Sequence, residues 1–168
     1  SYEIQFGTIE RPTHFNTSWD QAKFEVCGHK YADLSEGNYG VSLINDCKYG
    51  YDIHNGEMRM TLIKCGWNPG NTGVYNDQGE HIFTYSLYPH SGNLATCDVV
   101  KYAYDLNLPM SVRKAQGDGT LPDSYSLVSV DKDNIVIETV KEAESGDETV
   151  VRMYETKNAR PKATVKYG

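Results

Sequence analysis

The side chains that carry chemistry in this sequence are numerous but scattered. Five histidines (His14, His29, His54, His81, His90), four cysteines (Cys27, Cys47, Cys65, Cys97) and 23 carboxylates are present. A protein zinc site needs three or four such ligands at one point, ordinarily announced by close-set pairs. No HExxH and no CxxC occurs. Cys27 and His29 stand two apart in strand-like sequence and so face one side, but a pair alone is not a site. Acyl-transfer chemistry has no G-x-S-x-G to rest on. Cys97 has no base near it in sequence and reads as a core thiol. Gly66, Gly70, Gly73 and Gly79 spread over a loop with no helix after it, so they form no phosphate cradle. Asp20, Glu25, Asp46, Asp52, Asp77 and Glu80 flank strand signals, and spacing alone cannot pair any two of them for glycoside hydrolysis. Flat apolar faces that suit a sugar ring are offered by Trp19, Trp67, Tyr49, Tyr51 and Tyr75. Of these, Trp19, Trp67 and Tyr75 are the candidate sugar-stacking platform, with ordinary cross-strand packing as the alternative.

These groups belong to an acidic chain of 168 residues with a formal charge of -7. Its pI is near 5.2 and its mean hydropathy is -0.58. Nucleic-acid backbone is a poor partner for such a chain, because phosphates call for clustered Lys and Arg. Nowhere do about 18 apolar residues run together, as a spanning helix needs. Thirteen Tyr, four Phe and two Trp are too much aromatic surface to leave solvated, so the chain folds. A chain of this length builds a core without covalent staples, and the four cysteines are expected as free thiols. Ser1 to Phe6 is strand-like and carries no basic-then-apolar leader, which gives the expectation of a cytoplasmic protein.

Strand patterns dominate the elements that must position these side chains. Alternation predicts strands over Ile4–Glu10, Lys23–Tyr31, Tyr39–Asn45 and His81–Pro89. Tyr51–His54 and Met58–Lys64 flank Asn55-Gly56, a pair whose tolerance of positive φ predicts a tight hairpin. Helical spacing is confined to Ala95–Asp105 and ends at Pro109, predicting a single short helix that connects strands across the surface. Lys114–Pro122 is polar and Gly-rich, and reads as a linker or long loop. Beyond it, Ser126–Val130, Ile135–Val140, Val150–Glu155 and Ala163–Tyr167 read as strands, with turns at Asp133-Asn134 and at 144–147. The expectation is an all-β protein: an antiparallel β-sandwich with one short connecting helix over 1–113, a linker over 114–122, and the start of a second, smaller β domain over 123–168.

Two stretches resemble the C-terminal β region of α-mannosidases of glycoside hydrolase family 38, in its bacterial and fungal vacuolar-type branch. The first runs from Ile4-Gln5-Phe6-Gly7-Thr8-Ile9-Glu10-Arg11-Pro12-Thr13-His14 through Trp19-Asp20 to Tyr39-Gly40-Val41-Ser42-Leu43-Ile44-Asn45-Asp46-Cys47-Lys48-Tyr49-Gly50. The second is Asp77-Gln78-Gly79-Glu80-His81 followed by Phe83-Thr84-Tyr85-Ser86-Leu87-Tyr88-Pro89-His90. Weaker matches follow at Leu106-Asn107-Leu108-Pro109, Ser126–Val130 and Val151–Glu155. The departures are Phe15, where many relatives carry a basic residue, and the loop from Gly66 to Asn76, which is Pro- and acid-rich in many relatives.

The resemblance implies a parent enzyme that removes α-linked mannose from the ends of glycans or oligosaccharides with retention. It implies that zinc and the Asp nucleophile belong to an N-terminal catalytic domain of the same polypeptide, leaving no catalytic residue, metal or cofactor in these 168 residues. The chain is then the end of one β domain and the beginning of the next, with its last strand cut short. By the same resemblance, the loop carrying Asn45, Asp46, Lys48 and Tyr49 faces the catalytic domain and lines the sugar pocket. The alternative there is an Asp46–Lys48 pair neutralised at a domain interface. Thr13-His14 and Asn16–Asp20 are expected to make a structural corner with Trp19 buried. Against the reading of a non-catalytic portion of an α-mannosidase stand a free-standing carbohydrate-binding sandwich, and a purely structural domain whose exposed apolar patch docks another domain.

Overall fold

A computed structural model describes residues 1–64, 66–67, 74–75, 79–114, 117, 119–120 and 122–168, with backbone alone at 66–67 and 74–75. The chain divides into two units. The first holds Ser1–Gln5 and Ile9–Pro109, and the second holds Met110–Gly168 together with Phe6–Thr8.

In chain order the first part reads β1 (Tyr2–Ile4), β2 (Gly7–Ile9, which spans the division), α1 (Ser18–Gln21), β3 (Val26–Cys27), β4 (Tyr31–Glu36), β5 (Tyr39–Asn45), β6 (Gly50–His54), β7 (Glu57–Met60), β8 (Gly66–Trp67), β9 (Val74–Tyr75), β10 (Tyr85–Ser91) and α2 (Val99–Asn107). Strands β10, β5, β4 and β1 lie side by side in that order, and β3, β6 and β7 form a second sheet. All of these pairings are antiparallel. Successive strand residues face opposite ways, so β4 and β5 each feed two cores. Ala32 and Leu43 meet Tyr2, Tyr51 and Ile53 in the core shared with the β3-β6-β7 sheet. Tyr31 and Ile44 meet Leu94, Cys97, Val99 and Ala103 on the other face. The sandwich therefore carries a third layer, the helix.

The predicted strand over Tyr39–Asn45 forms with those bounds. So does the Asn55-Gly56 hairpin, whose residues sit at φ 52° and 76°. A Cβ at position 56 would be strained at that φ, so Gly56→Ala is expected to cost about 1 kcal/mol. Thermal unfolding followed by circular dichroism checks it; an unchanged midpoint would show that the turn does not limit stability.

Several expectations need correction. Ile4–Glu10 is two strands, because Phe6 reverses the chain at φ 54°. In place of one strand over Lys23–Tyr31 there is the short β3, then a bend, then β4. The β10 strand begins later than its alternation suggests. The helix begins at Val99 rather than Ala95, because Asn93 and Thr96 close a turn on each other first: Ala95 N donates to Asn93 Oδ1 (3.0 Å) and Asn93 N to Thr96 Oγ1 (3.1 Å). Nor is α2 a surface connection, since it buries Val99 and Ala103 in the core. A second helix, the single turn α1, is present as well.

The second unit contains β11 (Val128–Val130), β12 (Ile135–Glu142), β13 (Thr149–Glu155) and β14 (Val165–Tyr167). β12 pairs with β13 across a bulge between Ile137 and Thr139, and β11 pairs with β14. Phe6 joins this unit through its ring, edge-on to Tyr154 (5.8 Å) and beneath the Arg152 guanidinium (5.6 Å). Thr8 Oγ1 donates to Thr156 O (3.2 Å).

Candidate functional site

The turn after β5 is built by one side chain. Asn45 is fully buried, and its amide is used to capacity. Its Oδ1 accepts from the backbone N–H groups of Cys47 (3.0 Å) and Lys48, which folds residues 45–48 into a turn. Its Nδ2 donates to His29 O (3.1 Å) and to the Tyr51 hydroxyl. Tyr51 in turn donates to His29 O (2.9 Å), and burial pushes its phenol pKa well up. An amide has two donor hydrogens and two acceptor lone pairs, so Asn45 keeps nothing for a ligand.

What the turn presents is a cleft of about 170 Å³, lined by His29, Lys30, Asn45, Asp46, Cys47, Lys48, Tyr49 and Asn107. Asp46 is exposed, and its carboxylate accepts from Thr84 N (3.0 Å). That hydrogen bond, with a smaller one from the Cys47 thiol, holds the Asp46 carboxyl below its ordinary pKa. The tie to Thr84 is therefore complete at neutral pH and is released only as pH falls through the lowered value. The same carboxylate raises the pKa of the Cys47 thiol and so lowers its thiolate fraction. The Lys48 ammonium lies over the Phe83 ring (4.8 Å). Tyr49 is exposed and stands edge-on to the His29 ring (5.6 Å). Lys30 pairs with the buried Glu3 (2.8 Å). Asn107, at the end of α2, donates to Asn45 O (2.9 Å) and closes the floor. The result is a polar concavity with one acceptor group, the Lys48 cation and one aromatic face.

The structure thus brings Asn45, Asp46, Lys48 and Tyr49 together, with Asn45 as the builder and the other three at the surface. His29, Lys30 and Asn107 complete the cleft. None of these had a sequence signal for this role, because they arrive from the bend before β4 and from α2. Trp19 is not buried. It is 79% exposed, because the capping box of α1 turns Asp20 inward: Thr17 Oγ1 accepts from Asp20 N (3.2 Å) while Thr17 N donates to Asp20 Oδ2 (3.3 Å). The side chains of Trp67 and Tyr75 lie outside the described residues, as do Cys65, Asp77 and Gln78. Cys27, Cys47 and Cys97 are free thiols. Among the described residues no three His, Cys, Asp or Glu side chains converge to hold a metal ion. No described helix is long and apolar enough to cross a membrane.

Comparison with known proteins agrees with this architecture. The family model for the Glycosyl hydrolases family 38 C-terminal domain matches residues 1–72, and that for the Glycosyl hydrolases family 38 C-terminal beta sandwich domain matches residues 134–168. Alpha-mannosidase G of Dictyostelium discoideum is 46% identical over 158 residues, covering 93% of this chain and 14% of the relative. Alpha-mannosidase 2C1 of Homo sapiens is 43% identical, covering 92% of this chain and 15% of its own length. The Alpha-mannosidase of Saccharomyces cerevisiae is 40% identical, covering 98% and 15%. A crystal structure of an alpha-mannosidase from Enterococcus faecalis V583 superimposes with a TM-score of 0.82 at 20% identity, over 99% of this chain and 20% of that one, and shares the fold. The chain therefore spans about a seventh of the curated relatives it matches and belongs, as part of the C-terminal β region, to glycoside hydrolase family 38.

Proposed function

We propose that residues 1–168 serve a larger α-mannosidase as a non-catalytic wall of its sugar pocket. The parent releases terminal α-linked mannose from oligosaccharides with retention, and takes part in mannose metabolism in the cytoplasm. Its zinc and its Asp nucleophile belong to a catalytic domain outside these residues. The two units are the end of a large sandwich and the start of the next β domain. Support for the activity comes from the α-mannosidases among the relatives. The free thiols at Cys27, Cys47 and Cys97 suit a reducing compartment.

The observation that carries the pocket role is the set of exposed Asp46 and Tyr49 with half-buried Lys48 around a cleft whose floor is fixed by Asn45. A mannose ring offers hydroxyls as both donors and acceptors, and one apolar face. Asp46 accepts from a hydroxyl, Lys48 donates to one, and Tyr49 covers the face. Charge-assisted hydrogen bonds of this kind contribute about 1.5–3 kcal/mol, or roughly ten- to a hundredfold in binding. In the full-length enzyme, Lys48→Met is expected to raise KM for an aryl α-mannoside about tenfold with a smaller change in kcat. A kcat/KM within twofold of the parent would remove Lys48 from the pocket.

A further inference from the structure

The two faces of β10 differ in cover. Tyr88 and His90 turn toward the face occupied by α2, where Tyr88 packs on the core of Ile44 and Val99. Tyr85, Leu87 and Pro89 turn to the face on which Leu43 is buried under the β3-β6-β7 sheet. Leu87 stands directly opposite Leu43 in the register, yet Leu43 is 7% exposed and Leu87 64%. Tyr85 and Tyr39 on the same face are 57% and 56% exposed. The cause is width: the second sheet has three strands, which cover β1, β4 and β5 and stop short of β10.

The backbone of β10 is open on the same side. Thr84 O accepts from Asp46 N, and Gly92 N donates to Asn38 O. In an antiparallel strand the N–H and C=O of one residue point the same way, and the direction alternates along the chain. Even-numbered residues from 84 to 92 therefore bond β5, and Tyr85, Leu87, Pro89 and Ser91 aim away from it. Among the described residues no strand lies there. Free edges are ordinarily guarded by charged side chains, by Pro or by bulges. Tyr85–Ser91 contains no charged residue, and Pro89 is its single guard.

We propose that this edge pairs with an extended segment of the longer polypeptide from outside residues 1–168, bonded to the backbone of Tyr85 and Leu87 and covering Leu87 and Tyr39 with apolar side chains. The proposal rests on the reading that the chain is part of a larger α-mannosidase. The relatives supply the occupant, since about six-sevenths of their length lies beyond this chain. A second copy fits poorly. Two-fold pairing centred on Leu87 sets Pro89 opposite Tyr85, and Pro89 has no N–H to return.

Hydrogen exchange read by mass spectrometry on the full-length protein and on residues 1–168 tests this. Peptides over 85–91 should exchange at least tenfold more slowly in the full-length protein, while peptides over 39–45 serve as the internal reference. Leu87→Lys in the full-length protein should abolish that protection, and Ser86→Lys, on the other face, should keep it. Equal exchange of 85–91 in both proteins would overturn the proposal. So would a dimer of residues 1–168 in sedimentation that Leu87→Lys dissociates, because the occupant would then be a second copy. Protection of 85–91 in a full-length protein that leaves an aryl α-mannoside intact would uphold the edge pairing and remove the mannosidase reading.

Discussion

Asp33→Ala should lower the unfolding free energy of the chain by about 3–5 kcal/mol. Its carboxylate lies in the middle of the sheet and accepts from three side chains: His90 Nε2 (2.7 Å), Ser42 Oγ (2.6 Å) and Ser35 Oγ (2.5 Å). Asp33, Ser42 and His90 are all buried. Removing the acceptor leaves an imidazole and a hydroxyl in the core with nothing to bond, and that desolvation is the source of the loss. The trio has the residue types of a hydrolytic triad but not its geometry. Both serines donate to the carboxylate, and the other imidazole nitrogen faces Ser91 O (3.4 Å). A hydrogen-bonded core is what remains. It also explains Gly40, where a Cβ would lie 2.4 Å from His90 Cε1 and 2.5 Å from Ser35 Oγ. Urea titration followed by fluorescence measures the effect, and a loss under about 1 kcal/mol would mean that water replaces the carboxylate.

Asn45→Ala is the second large effect, about 3 kcal/mol, because one truncation of a buried side chain removes four hydrogen bonds. The loss reaches past stability. With its acceptor gone, the turn at 45–48 no longer holds the N–H groups of Cys47 and Lys48, and Asp46 and Lys48 lose their fixed approach to the cleft. Amide resonances of Cys47 and Lys48 should shift and broaden, and the full-length enzyme should lose activity toward an aryl α-mannoside. Asn45→Asp separates the two roles of the amide: it keeps the acceptor for the turn but loses both donors and buries a charge. Unchanged amide shifts in Asn45→Ala would show that the turn is held from elsewhere.

The elements read most faithfully from the chain were those whose signal is local. Tyr39–Asn45 alternates, Asn55-Gly56 has the φ preferences of its turn, and Ile135–Glu142 and Thr149–Glu155 repeat the strand pattern. Tyr31–Glu36 was invisible for a physical reason. Both of its faces are buried, and one carries Asp33, so no apolar–polar alternation survives. Phe6 gave no sign of a reversal, since an aromatic residue at positive φ is disfavoured by its own backbone and is held by contacts with Arg152 and Tyr154, nearly the whole chain away. The cleft was legible as a stretch of sequence only through family likeness. That Asn45 faces inward while Asp46 and Tyr49 face outward follows from Tyr51 and His29, which no local rule connects to it.

The grouping of Phe6–Thr8 with the second unit bears on the order of events at the ribosome. Whatever precedes these residues, the hydrogen bond from Thr8 to Thr156 spans 148 positions and cannot close until the intervening chain has been made. Loop closure over such a span grows only as the logarithm of length, by about 0.6 kcal/mol per doubling, so the delay is kinetic far more than energetic. Until then Phe6 travels as a solvated aromatic on an unfinished hairpin, a transient handle for a chaperone and a natural point for misassembly between nascent chains.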